Sequence, residues 1–270
     1  MTDCRIVTLY SGSDGNATYI RAAGTSILID AGKSARALCR ALNEIGVSLE
    51  EISAIFITHE HRDHIAALEV LAKKHNTPVH IMKKSAERLD RLAPCPLCDH
   101  LVRHEAMFCE RVGSITVSSF RTPHDSQMSV GYRITFCDEQ GEERALGYAT
   151  DIGYVSDALR EGLCGCEAVV LESNHDVDML MDGPYPYDLK LRIRSNRGHL
   201  SNADSAAFAA ELAEKGTQAF LLAHVSRENN DPTLVLDEAL AAISDSSVTV
   251  AVASADEPTE LLWEKENRTW

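Results

Sequence analysis

Thr58-His59-Glu60-His61-Arg62-Asp63-His64 follows directly on the apolar run Ala54-Ile55-Phe56-Ile57. Its pattern, H-x-H-x-D-H, gathers neutral imidazoles and a carboxylate where a buried strand stops. Those are the donors that zinc and related divalent cations take, and a plain polar loop has no reason to concentrate them. His59 and His61 are two residues apart, so at an extended strand end or in a tight turn both rings can point to one side, toward one cation. Asp63 and His64 can then turn to a second.

The same design recurs farther along the chain. Ser26-Ile27-Leu28-Ile29 is a buried strand ending at Asp30. Asp30 reads either as a cap for a helix over residues 34–45 or as the partner that orients a metal-bound histidine. Residues 114–120 alternate as a strand and deliver His124. Residues 130–136 and 144–150 read as an antiparallel pair across a polar turn, and the second ends on Asp151. An apolar strand starting at Ala168 runs to Glu172, and residues 218–223 end at His224; His175 and Asp176 read as polar loop residues. Polar groups that end several strands and converge on one rim are how a rigid scaffold presents a metal site.

The remaining pattern supplies the scaffold. Residues 5–10 read as a strand, followed by the turn Ser11-Gly12-Ser13-Asp14-Gly15-Asn16 and a strand near residues 18–20. Helical spacing covers residues 65–75, with Ile65, Leu68, Leu71 and Ala72 on one face, and residues 85–92. Helix-start chemistry at Ser201 and at Asp231-Pro232 opens two more helices, the first closed by Gly216, and residues 248–252 read as a last strand. His75 and His80 have no partner at ligand spacing. Cys95 and Cys98 form a C-x-x-C to which His100, His104 and Cys109 could add zinc ligands; without a second C-x-x-C, a loop with free thiols is the simpler reading.

With 270 residues and 44% hydrophobic content the chain can bury a large core, and no linker or repeat divides it, so one domain over residues 1–270 is expected. Eight cysteines without a signal sequence point to reduced thiols, and no apolar run is long enough to span a bilayer, so a soluble, cytoplasmic protein is expected. A net charge of −15 disfavours polyanion binding over the whole surface. It leaves room for a local basic track, Lys190-Leu191-Arg192-Ile193-Arg194-Ser195-Asn196-Arg197, which runs into Gly198-His199-Leu200-Ser201-Asn202. Lys190, Arg192, Arg194 and Arg197 read as phosphate contacts beside His199.

Through Asp30, the His59 to His64 cluster, His124, Asp151 and His224, the chain resembles the metallo-β-lactamase superfamily along nearly its whole length. Residues 11–16, 198–202 and 224–230 resemble the WalJ/YycJ group of bacterial metallohydrolases, relatives of the tRNase Z and RNase J nucleases. The resemblance implies an α+β fold, a four-layer αββα sandwich with two metal ions at one edge, zinc or manganese, with iron also compatible. His59, His61 and His124 would hold one ion, Asp63, His64 and His224 the other, and Asp151 would bridge them. Asp30 would orient a ligand from behind. Asp63 would also direct the attacking hydroxide, and His199, paired with Glu172, would act as general acid.

Ser13, Asn16, Ser226 and Asn229 join the basic track as expected substrate contacts. Asp14 and Arg62 depart from the group's pattern, but neither removes a ligand. The activity implied is hydrolysis of phosphodiesters at DNA ends, a 5′→3′ exonuclease. A thioester or lactone hydrolase on the same rim and a non-catalytic metal-binding protein are the alternatives. Oligomeric state is left open by the sequence.

Overall fold

Two runs of apolar strands form two sheets, each laid down in chain order. The computed structural model describes residues 4–92 and 101–262. Its first half places β1 (Cys4–Tyr10), β2 (Ala17–Ala22), β3 (Thr25–Ile29), β4 (Ala54–Phe56), β5 (Val79–Met82) and β6 (Leu101–His104) side by side. The second half repeats the plan with β7 (Cys109–Val112), β8 (Ile115–Arg121), β9 (Val130–Cys137), β10 (Glu143–Ala149), β11 (Ala168–Glu172), β12 (Ala219–Ala223) and β13 (Thr249–Val252). Each half begins antiparallel, where turns join neighbours, and becomes parallel from β3 and from β10 onward. Parallel neighbours need crossovers, which helices supply on the outer faces.

Those helices are α1 (Ala35–Glu44), α2 (Arg62–Ile65), α3 (Leu68–Lys74), α4 (Lys83–Leu92), α5 (Asp157–Leu163), α6 (Val177–Asp182), α7 (Tyr187–Ile193), α8 (Asn202–Glu214) and α9 (Pro232–Ala242). Three apolar layers hold the sandwich. Ile27, Ile29 and Phe56 of the first sheet meet Val117, Tyr132, Tyr148 and Val170 of the second. Leu28, Ile55 and Ile81, on the opposite face, pack under Leu38, Leu42, Leu71 and Leu89 of α1, α3 and α4. Val169, Leu171 and Phe220 do the same under Leu159, Phe208 and Val235 of α5, α8 and α9. Strands covered on both faces read as continuous apolar runs, which is why β3, β11 and β12 stand out in the sequence. The expected α+β, αββα architecture is the one found. Among the described residues no helix is long and apolar enough to cross a membrane.

Three local expectations change. Residues 248–252 do not hold the last strand: β14 (Thr259–Leu261) returns to the first sheet and pairs antiparallel with β1. It is too short for alternation to reveal, and Arg5 anchors it with Nε and Nη2 donating to Glu260 at 2.8 and 3.0 Å. The helix expected over residues 65–75 is broken into α2 and α3, because the Ala67 amide bonds back to the Ala31 carbonyl at 2.9 Å. Asp30 does not cap α1; the Ser34 hydroxyl does, accepting from the Ala37 amide. Cys95, Cys98 and His100 lie outside the described residues.

The turn after β1, the end of β3 and the histidine segment meet backbone to backbone. The Asn16 amide donates to the Asp63 carbonyl at 2.7 Å, Ala31 to the His64 carbonyl at 2.7 Å, and Gly32 to the Asn16 carbonyl at 2.8 Å. A methyl group on Gly32 would lie 1.9 Å from the Asp63 carbonyl oxygen and 2.4 Å from the Asn16 nitrogen. Gly32→Ala is therefore expected to destabilise the fold by about 3 kcal/mol, as overpacking against backbone does. Urea unfolding checks this: the midpoint should fall at an unchanged slope, and an unchanged midpoint would show that the three segments can part freely.

Candidate metal centre

His59 and His61 occupy the turn after β4, and Asp63 and His64 fall in the single helical turn of α2. The helical turn rotates Asp63 and His64 away from the first pair, so one short segment faces two positions. Loops after β8, β10 and β12 bring His124, Asp151 and His224 to the same edge. Candidate donor atoms of His59, His61 and His124 lie within 4.8 Å of one another, as do those of Asp63, His64 and His224, and those of His59, His64 and Asp151. Asp30, Asp151 and His224 adopt left-handed backbone, with φ of 62°, 58° and 58°. Each strand thus turns sharply at the residue that carries the polar group.

Hydrogen bonds behind the rim choose which ring nitrogen faces forward. His64 donates from Nδ1 to Asp30 Oδ2 at 2.8 Å, and its Nε2 lies 3.3 Å from both Asp63 Oδ2 and Asp151 Oδ2. His124 donates from Nδ1 to the Gly198 carbonyl at 3.1 Å, and its Nε2 lies 3.6 Å from Asp151 Oδ1. His224 donates from Nδ1 to Glu172 Oε1 at 2.8 Å, with Nε2 3.8 Å from Asp151 Oδ1. The Thr58 hydroxyl lies 3.0 Å from His59 Nδ1 and 2.9 Å from Asp30 Oδ2, and the Thr58 amide donates to Asp30 Oδ1 at 2.8 Å. Asp30 therefore supports the segment through both Thr58 and His64.

The donor set fits divalent cations. His59 Nε2, His224 Nε2 and Asp151 Oδ2 are buried without a hydrogen-bond partner. Buried polar atoms are rarely left so unless something else meets them, and imidazole with carboxylate is the chemistry of zinc and manganese. Burial, with His64 close by, holds the His59 pKa well below 6.5, leaving a neutral ring with its lone pair available. Burial opposes charge on His224, but Asp151 and Glu172 outweigh it and raise the pKa to about 9. Burial likewise disfavours the Asp151 anion, yet His224 and His64 hold its pKa well below the usual carboxylate range. A cation at this rim would take the place of the proton that such a cluster attracts.

Glu172 has more partners than sequence spacing suggests. Its Oε1 accepts from His199 Nδ1 at 2.9 Å as well as from His224 Nδ1, and its Oε2 accepts from the amides of Ile152 and Leu200 at 2.8 and 3.0 Å. Burial resists its ionisation, but His199 and His224 bring its pKa down to about 2. One carboxylate orients both a rim histidine and the histidine beside the rim.

A cleft of about 280 Å³ opens over this edge. Its lining includes Ser13, Ser226, His199, Arg192 and Arg197 together with His61, Asp63, His124, Asp151 and His224. The other expected contacts lie elsewhere. Asn16 is buried behind the rim, its amide 3.2 Å from Asp63 Oδ2 and 3.1 Å from His64 Nε2. Asn229 is buried, its backbone amide donating to Ser226 Oγ at 3.2 Å. Lys190 is not a phosphate contact: its ammonium is buried and donates to the Met181 carbonyl at 2.6 Å. Arg194 lines a separate cleft. The basic track divides because α7 turns about 100° per residue, sending cations two positions apart to opposite sides.

Sequence reading missed Asp125, whose Oδ2 accepts from Arg192 Nε at 2.7 Å while its Oδ1 lies 3.3 Å from His124 Nε2. Adjacency to His124 was the available signal. It also missed Tyr185 and Asn174, which line the cleft from loops without a motif.

Known proteins are similar to this chain in sequence and fold. Residues 25–225 match the family model described as a β-lactamase superfamily domain. The chain is 36% identical over 222 residues to the exodeoxyribonuclease YycJ of Bacillus anthracis, covering 82% of each sequence. To the exodeoxyribonuclease WalJ of Streptococcus pneumoniae it is 34% identical over 224 residues, 82% of this chain and 81% of the relative. Among solved structures, the metallo-β-lactamase fold protein YhfI from Bacillus subtilis superposes with a TM-score of 0.71 at 19% identity, over 96% of this chain and 100% of that one. The short form of human tRNase Z does so with a TM-score of 0.62 at 18% identity, over 94% and 98% of the two chains. With that fold, that rim of histidines and carboxylates and those relatives, the chain belongs to the metallo-β-lactamase superfamily, in its YycJ- and WalJ-like group.

Proposed function

We propose that the chain is a metal-dependent phosphodiesterase that hydrolyses DNA from its ends in the 5′→3′ direction. The observation that carries the reading is His199. It lines the cleft beside the rim, its donor atom within 4.8 Å of those of Asp151, Glu172 and His224, with Nδ1 committed to Glu172 and with Arg192 and Arg197 on the same wall. The names of the YycJ and WalJ relatives, both exodeoxyribonucleases, support the same substrate class.

In this reading His59, His61 and His124 would hold one divalent cation and Asp63, His64 and His224 a second, with the Asp151 carboxylate available to both positions. Such a pair of ions polarises a phosphoryl oxygen and lowers the pKa of water toward neutrality. Asp63 orients the attacking water with the carboxylate oxygen that it does not commit to the rim. Glu172 accepts the Nδ1 proton of His199, so the Nε2 proton of the imidazolium is the one passed to the leaving alkoxide. Arg197 meets a backbone phosphate, while Arg192, already paired with Asp125, shapes the wall. The Tyr185 ring offers a face on which a terminal base can stack.

His59→Ala and Asp151→Asn are expected to lower the bound metal, measured by elemental analysis of the desalted protein. His199→Ala should keep the metal and slow cleavage of end-labelled DNA by about a hundredfold; wild-type turnover would remove it from the mechanism. Glu172→Gln should weaken metal binding by about 10–100-fold, through His224, in addition to slowing the reaction. Arg197→Ala should reduce the logarithmic salt slope of DNA binding by about one, and Arg192→Ala by less, because Asp125 already neutralises it. Rapid hydrolysis of a thioester or lactone beside inert DNA would favour the small-molecule alternative.

A further inference from the structure

A second group of metal-binding side chains lies away from the rim and shares no residue with it. His80 on β5, His104 on β6 and Glu110 on β7 each offer one donor atom, and the three atoms lie within 4.8 Å of one another. His80 Nδ1 and His104 Nε2 are 3.1 Å apart, while Glu110 Oε1 lies 3.9 Å from the other nitrogen of His104, Nδ1, so one ion would take a single His104 nitrogen. Two nitrogens on one tetrahedral zinc ion, each about 2.0–2.1 Å from it, sit about 3.3 Å apart, close to the separation of His80 Nδ1 and His104 Nε2.

The three residues come from both sheets. His80 stands beside Phe56 in register, and its ring stacks on Phe56, which faces the second sheet. His104 is on β6, the edge strand of the first sheet, and Glu110 is on β7, the edge strand of the second. Glu110 pairs with Val117, an inter-sheet core residue, so its side chain starts on the inner face of its strand. Phe108 stacks on His104 with centroids 3.7 Å apart and holds that ring in place. Burial and the neighbouring His104 keep the His80 pKa down to about 4, and burial lowers that of His104, so both rings are neutral ligands at pH 7. Cys109, next to Glu110 in the chain, is exposed and accepts from Ser118 on the other face of β7.

We propose that His80, His104 and Glu110 form a separate divalent-cation site, suited to zinc, that fastens the two sheets together at their β6 and β7 edges. Two imidazoles and a carboxylate make a three-ligand zinc set with a fourth position left for water. The role is structural: among the described residues neither edge strand has a further strand to pair with, and one cation links β5 and β6 to β7. The site is independent of the rim, and its test separates the two.

Zinc-loaded full-length protein, desalted and assayed by elemental analysis, should hold about one zinc more per chain than either Glu110→Gln or His104→Asn. Both variants should retain hydrolysis of bis(p-nitrophenyl) phosphate relative to wild type. Thermal unfolding should show a zinc-dependent rise in Tm that shrinks in Glu110→Gln, a change at an accessible position that leaves the core intact. Asp151→Asn, which impairs the rim, should keep the zinc held by His80. Equal zinc content and equal zinc-dependent Tm in wild type and Glu110→Gln would overturn the proposal and leave His80 and His104 as a hydrogen-bonded pair.

Discussion

Three carboxylates with almost no exposure stand at the ends of three strands: Asp30, Asp151 and Glu172. A buried carboxylate costs several kcal/mol unless donors or cations surround it. The rest of the edge is organised by that requirement. Asp30 is met by Thr58 and His64, and Glu172 by three backbone amides and two histidines. Asp151 has no comparable set of donors. Its charge is balanced by the ring of histidines around it, with Oδ2 left unpartnered. The geometry that satisfies the first two carboxylates is the geometry that turns histidine Nε2 atoms toward the third.

The backbone carries part of the cost. Left-handed φ at Asp30, Asp151 and His224 is disfavoured for residues with a Cβ, by about 1–2 kcal/mol each, although aspartate and histidine tolerate it better than most. Strands that ran straight on would send these side chains to either face of their sheets. Turning at once brings them to the open edge between the sheets, where the apolar layer ends. Strain of this kind persists where surrounding structure holds it, and here the buried hydrogen bonds do so.

Much of the centre was legible because its signals are local. His59, His61, Asp63 and His64 lie within a single segment, and a polar residue closing an apolar strand can be seen at Asp30, His124, Asp151, Glu172 and His224. The strands themselves were visible because both of their faces are covered. The resemblance implied the pairing of Glu172 with His199, but its second bond, to His224, was not legible, since that partner lies 52 residues ahead. The basic track misled for a related reason: adjacency in sequence joined four cations that α7 and the turn after it distribute to different surroundings, with Lys190 turned inward. His80 was set aside as lacking a partner, and the partner came from another strand, 24 residues on.

The sequence by itself determined where most strands run and that a histidine–carboxylate cluster closes them, because apolar periodicity and a dense local motif need no knowledge of distant contacts; the layered αββα plan was implied by the resemblance of those motifs to the metallo-β-lactamase superfamily. Only the tertiary structure decided which nitrogen each histidine turns forward, that Glu172 serves both His199 and His224, that Arg192 answers Asp125, and that β14 closes the first sheet. Those outcomes depend on pairings between residues far apart in the chain. Such pairings form only when the two sheets stack and hold their strand ends at a common edge.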